Sequence, residues 1–507
     1  MGHREKVPIP LSMRSRIPTP LLIRRAELYS GEVVDVRIEA GVIAALGERL
    51  VPKPGELLVE ANGGLLLPGL HDHHLHLFAT AAARESLLCG PPQVSDERQL
   101  RVALTERIAE LVTAGDERGE HWIRGVAFHE SVCPALDRHW LDAVCPSRPV
   151  RIQHRSGMMW VLNSQALVRL SIREEDPLPD GAERDADGIL TGRFYDLDDW
   201  LGARFERNWP SLDGLSAELA SFGITALTDT GARNGEAAWQ ALVAACESGH
   251  LRQKLLVMGT EELHGLAPTC GGRLAVGPVK IYLRESDLPD LEKLVQRMAA
   301  AHHCGRAVAI HCVTRVELTF ALAALRAAGA IPGDRVEHAA IADDDALAEL
   351  AALGVTVVTQ PHFIAERGDQ YLKAVEDWDI PFLYRGAGFL KGAIALAAGS
   401  DAPYGSTDPW AAMAAAVSRR TRRGIEVTPS ERLTAGQALA LYGGDLLRPG
   451  TGLRRLACGQ QADLCLLRVG LAQLCKDFDA RHVQLTMCDG EIIHRAPEVV
   501  LHKVNEE

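Results

Sequence analysis

The densest group of metal-binding side chains in the sequence is Pro68-Gly69-Leu70-His71-Asp72-His73-His74-Leu75-His76. In an extended strand successive side chains alternate between faces, so Asp72, His74 and His76 leave on one side and His71 and His73 on the other. Two imidazoles converging at a strand end can hold a divalent cation. A bare His-x-His pair is weak evidence for a site. The Pro-Gly turn, the aspartate two residues ahead of His74 and the apolar Leu65-Leu66-Leu67 lead-in make this one specific.

Later apolar runs each end in a residue suited to the same centre. Lys280 lies in Val279-Lys280-Ile281-Tyr282-Leu283. An ammonium turned into a barrel is costly unless it is neutralised, paired or chemically altered. Carbamylation would convert it into a carboxylate able to bridge two ions; the opposing reading is a surface lysine on the outer face. His311 ends AVAIHC and His338 ends RVEH, and both could ligate a second ion. Asp401, in AAGSDAPYG, is placed to touch metal and attacking water together and to carry the catalytic proton, although alone it could be a helix cap. Gln360 and His362, closing VTVVTQPH, are expected to contact substrate, as are His154 and Met158 in RIQHRSGMMW. Asp229, in ALTDTG, is expected to orient a ligating histidine. His302 and His303 fall in a helical stretch and read as solvent-facing or capping, outside the site.

The elements that must position these residues follow from the same runs. Eight apolar runs (LLLPGLHDHHLH, ITALTDTG, LLVMGT, VKIYL, AVAIHC, RVEHAAI, VTVVTQP and IALAAGSDAP) alternate with helical stretches. That is the pattern of a parallel sheet with crossover helices, and eight is the number that closes it, so the fold class is α/β, a (β/α)8 TIM-like barrel. Active-site residues of such barrels sit at the C-terminal strand ends. The ends of the chain are instead strand-rich, and 20–66 with 447–500 is expected to form a composite β-sandwich. The barrel is then 67–446. Roughly 140 residues between the first and second runs, about 78–221, are too many for one crossover and imply an inserted subdomain, read as a lid. Residues 1–19 read as a mobile tail.

Composition narrows the function classes. The chain has 507 residues and a net charge of −13, with 54 Lys plus Arg against 67 Asp plus Glu and no basic run, which removes the usual source of affinity for nucleic acid. No apolar stretch reaches the ~18 residues of a membrane span, and the N-terminus lacks a secretory signal core. Eleven scattered cysteines without CxxC pairs fit a reduced, cytoplasmic protein. A small-molecule substrate is the expected partner, and a homo-oligomer is left open.

PGLHDHHLH, VKIYL, HCVTR, RVEHA and GSDAP resemble the successive signatures of the amidohydrolase superfamily. The chain is most similar to the YtcJ-like or amidohydrolase type 3 branch, which includes N-substituted formamide deformylase, and the likeness covers nearly its whole length. The resemblance implies His74 and His76 on one metal, Lys280 as a carbamylated bridge, His311 and His338 on the other metal, and Asp401 as ligand and proton shuttle. The ions implied are two Zn2+, with Mn2+ or Fe2+ as alternatives. The implied reaction is attack of a metal-bound hydroxide on an amide, formamide or cyclic amide. Two departures stand near the expected pocket: Gly157-Met158 where the branch has Gly-His, and Thr314-Arg315 where it has Gly-Asp. The rivals are a mononuclear deaminase and a non-catalytic scaffold. The first needs a glutamate where Thr314 stands, and the second is expected to have lost ligands that this chain keeps.

Overall fold

The computed structural model describes residues 19–205 and 209–505. All of the expected tail but residue 19 therefore lies outside the described residues. The chain divides into two compact units, one running through Leu77 and resuming at Leu212, the other Phe78–Ser211.

In the first unit, β1 (Leu70–Leu75), β2 (Ile224–Asp229), β3 (Lys254–Gly259), β4 (Leu274–Tyr282), β5 (Val308–Cys312), β6 (Arg335–His338), β7 (Thr356–Thr359) and β8 (Leu396–Ala398) form one eight-stranded sheet in sequence order. Every ladder is parallel. All positions of β1, β2, β6 and β8 are buried, as in a sheet whose outer face is covered by crossover helices. The helix Arg315–Ala328 shows how the sequence produces that cover. Leu318, Ala321, Leu322 and Leu325 form its buried stripe at helical spacing. Thr314 and Glu317 form a reciprocal capping box at its start.

The seam between β8 and β1 is bridged by the backbone. Asp401 N–H donates to the His74 carbonyl at 2.7 Å, and His76 N–H to Ala402 O at 2.8 Å. Ser400 N–H adds a bond to Asp72 Oδ1 at 3.0 Å. The two strands approach so closely that a Cβ on Gly399 would lie 2.3 Å from His74 N.

The first run of the sequence reading spans two elements. Leu65–Pro68 joins the sheet formed by the chain ends, and β1 starts only at Leu70. Gly69 makes the break, because a Cβ there would meet the Thr225 side chain at 2.2 Å. Leu65–Pro68 pairs with Leu21–Leu28 and with Leu464–Leu467, which sews the two ends of the chain together. The composite domain is one nine-stranded hydrogen-bonded sheet rather than two separate ones, with a shared core that includes Ile23, Val36, Ile38, Leu464, Leu466 and Met487. It also takes in His502–Lys503, beyond the expected bound at 500.

The inserted unit carries a six-stranded sheet, with Ile123–Phe128 and Val150–His154 adjacent and parallel. The unit closes at Ser211, short of the expected 221. The helix Asp213–Ser221 belongs to the barrel unit and buries Leu215, Leu219 and Ala220. Among the described residues no helix is long and apolar enough to cross a membrane.

The seam yields a test by contrast. Gly399→Ala forces a methyl against β1 and is expected to cost about 1–3 kcal/mol, lowering the thermal unfolding temperature. Gly214→Ala, in a helix with nothing within 4 Å of the added methyl, is expected to leave it unchanged or raise it. Equal behaviour of the two variants in a thermal melt would count against a close-packed seam.

Candidate metal centre

His74, His76 and Asp401 meet at the C-terminal ends of β1 and β8. Both Nε2 atoms lie 3.2 Å from the same oxygen, Asp401 Oδ1. One ligand atom from each of the three residues falls within 4.8 Å of the others. The His338 ring is 4.8 Å from that of His74, and the His311 ring is 4.6 Å from His338. Lys280 Nζ is buried without a hydrogen-bond partner. His74, His76, His311, His338 and Asp401, from four strand ends, thus come together, with imidazole nitrogens and a carboxylate oxygen, a donor set that suits a divalent cation.

Two backbone distortions help to aim these groups. His338 and Asp401 have φ of 69° and 51°, in the left-handed region that side chains seldom occupy. Normal alternation would send Glu337 and His338 to opposite faces; the twist at His338 lets both reach His74.

The imidazoles are held by partners that the sequence reading did not assign. His74 Nδ1 bonds Glu337 Oε2, which leaves Nε2 for the site. Arg335 donates to both Glu337 oxygens and, through Nη2, to His73 O at 2.6 Å. His338 Nδ1 meets Gln360 Oε1 at 2.7 Å. Gln360 is therefore engaged with a ligand-type histidine. His362 is buried and its Nε2 donates to Ser400 O at 3.0 Å, steadying the segment that delivers Asp401. Arg335 and Glu337, two charged residues at alternating positions of a buried run, were a visible but unread signal.

Asp229 accepts from Leu77 N, Gly231 N and Asn234 Nδ2; burial pushes its carboxyl up although His76 stands nearby. His302 is not solvent-facing: its Nε2 bonds Asp334 Oδ1 at 3.0 Å, an oxygen that also accepts from Val308 N. Thr314 caps a helix and Arg315 pairs with Asp343 and Asp379, which accounts for both residues structurally. His154 and Met158 belong to the inserted unit.

Neighbouring charge opposes burial in setting the protonation of the metal-free centre, and burial prevails at three residues. It lowers Lys280 from the ordinary lysine value, and it holds His311 well below 6.5 and His338 at about 4. Burial raises Asp401, but bonds from His74 and His76 and the charge near His338 outweigh it, leaving the carboxyl well below its usual range. For Glu337 likewise, Arg335, Lys280 and His74 overcome burial.

A parallel barrel with these side chains at its strand ends offers a candidate site for a divalent cation. Residues 58–494 match the model of the amidohydrolase family, and the chain belongs to that family. YtcJ of Bacillus subtilis (strain 168) is 25% identical over 90% of this chain and 95% of its own length. The N-substituted formamide deformylase of Arthrobacter pascens is 25% identical over 80% of this chain and 84% of its own. An uncharacterised metal-dependent hydrolase from Pyrococcus horikoshii OT3 shares the fold with a TM-score of 0.71, at 22% identity, over 89% of this chain and 98% of that one.

Two outcomes test the centre. Glu337→Gln removes the charge that orients His74, and is expected to weaken zinc affinity about 10- to 100-fold in a chelator competition, whereas His302→Ala leaves it unchanged. The second concerns acid stability. His338 titrates near 6.5 when unfolded and at about 4 when folded, so its stabilisation is complete above 6.5 and is lost as pH falls toward 4. The metal-free protein should lose thermal stability across that window, and His338→Gln should lose less. An identical pH dependence in the variant would show that His338 does not contribute.

Proposed function

We propose that this chain hydrolyses a C–N bond of a small molecule, an amide, formamide or cyclic amide, at a centre made by His74, His76, Lys280, His311, His338 and Asp401. The observation that carries the reading is the convergence of two imidazole nitrogens on one buried carboxylate oxygen, each at 3.2 Å, at the C-terminal mouth of the barrel. Two divalent ions, Zn2+ first and Mn2+ or Fe2+ as alternatives, match the ligand types. Bound there, such ions supply Lewis acidity that polarises a carbonyl and acidifies a water.

The remaining work falls to the chain. Asp401 is ionised and accepts the proton of the attacking water, then returns it to the departing nitrogen. Glu337 and Gln360 hold the Nδ1 atoms of His74 and His338, so each ring presents Nε2. Lys280 lacks a bonded partner and is driven toward the neutral amine by burial. A neutral amine can add CO2 and release a proton, giving a carbamate whose anionic oxygens are of the type that holds divalent ions. The deaminase alternative needs a carboxylate at position 314, where the threonine serves as a helix cap.

Elemental analysis of protein grown with zinc and bicarbonate should find about two ions per chain more than in the His74→Ala, His338→Ala double variant, by the two ligand groups and bridge of this centre. A screen of N-substituted formamides, N-acyl compounds and cyclic amides should then reveal turnover. Asp401→Asn is expected to keep most of the metal and to lose about 100- to 10,000-fold in kcat. A variant with full metal and more than about a tenth of wild-type turnover would remove Asp401 from proton transfer, given the usual size of that effect.

A further inference from the structure

A second group of metal-ligating side chains lies within the inserted unit. Ile123–Phe128 and Val150–His154 pair in parallel with Phe128 opposite His154, so His129 and His154 emerge at neighbouring strand ends. Glu130 follows His129 directly. Its Oε2 lies 2.9 Å from His154 Nε2 and 3.5 Å from His129 Nε2, and the two rings stack at 5.8 Å. One ligand atom from each of the three falls within 4.8 Å of the others.

The two histidines are built alike. In His129-Glu130-Ser131 and His154-Arg155-Ser156, each Nδ1 lies 2.7 Å from the hydroxyl of the serine two residues on. The strand ahead of His129 shifts register between Gly125 and Phe128, with Ala127 at φ 62°, a bulge that re-aims its end.

We propose that His129, Glu130 and His154 bind a divalent cation, Zn2+ foremost, at a site of the inserted unit separate from the residues of the barrel centre. Two imidazole nitrogens and one carboxylate oxygen, with water completing the shell, suit a borderline ion. Side-chain exposures of 27%, 64% and 15% leave the group open to solvent on the Glu130 side. An ordinary histidine–carboxylate ion pair accounts for the arrangement less well. A single ion pair would need only one imidazole, whereas here two imidazole nitrogens face the same carboxylate oxygen, at 2.9 and 3.5 Å.

The serines solve the tautomer problem that ligation poses. Without an ion, the backbone amides of Ser131 and Ser156 approach Nδ1 at 3.2 and 3.1 Å, which favours the proton on Nε2. When Nε2 binds an ion the proton moves to Nδ1, and a hydroxyl, unlike the amide, can turn to accept it. The bound ion would clip the end of one strand to the turn that follows its neighbour.

The test uses the full-length protein and zinc alone. In equilibrium dialysis the wild type is expected to bind about one ion more than His129→Ala, and Glu130→Gln to bind that ion at least tenfold more weakly. Zinc should also raise the thermal unfolding temperature of the wild type more than that of either variant. Because each result is a difference from wild type, it stands whether or not the barrel centre fills. Should His129→Ala fail to fold, Glu130→Gln changes only one exposed carboxylate and still decides. Equal zinc content and affinity in the wild type and Glu130→Gln would overturn the site.

Discussion

Barrel closure and the candidate metal centre depend on the same pair of residues. The backbone N–H of Asp401 donates to the His74 carbonyl across the last seam of the sheet, at 2.7 Å. The side chains of those residues meet 3.2 Å apart in the site. A displacement of β8 against β1 would therefore open the seam and disperse the ligands at once. Gly399 permits the approach, Asp72 ties Ser400 and His74 with a single oxygen, and His362 holds Ser400 from the far side.

Charge is the second constraint. Lys280, Arg335, Glu337 and Asp401 are all withdrawn from water around a few ångströms of imidazole. Such groups are tolerated only when each finds a counter-charge or changes state. Arg335 and Glu337 satisfy one another and fix His74. Asp401 is balanced by two histidines, and Lys280 alone is left without a bonded neighbour.

The two units back their histidines differently. The barrel buries His74 and His338 and locks their rings from behind with a carboxylate and an amide. The inserted unit leaves His129 and His154 partly exposed and backs them with serine hydroxyls, which both donate and accept.

By itself the sequence determined the eight barrel strands and the ligand-type residues at their ends, because both rest on local rules. Alternation along a strand places Asp72, His74 and His76 on one face whatever the neighbours are. A parallel barrel puts successive C-terminal strand ends at one mouth. The tertiary structure alone decided which groups stand behind those residues. Glu337 reaches His74 across 263 residues of chain, and Gln360 reaches His338 from the next strand. The change of sheet at Gly69 depends on Thr225, and the meeting of His129 with His154 on the register of two strands. Periodicity can tell which way a side chain points, but the partner it meets is set by which strands become adjacent and in what register.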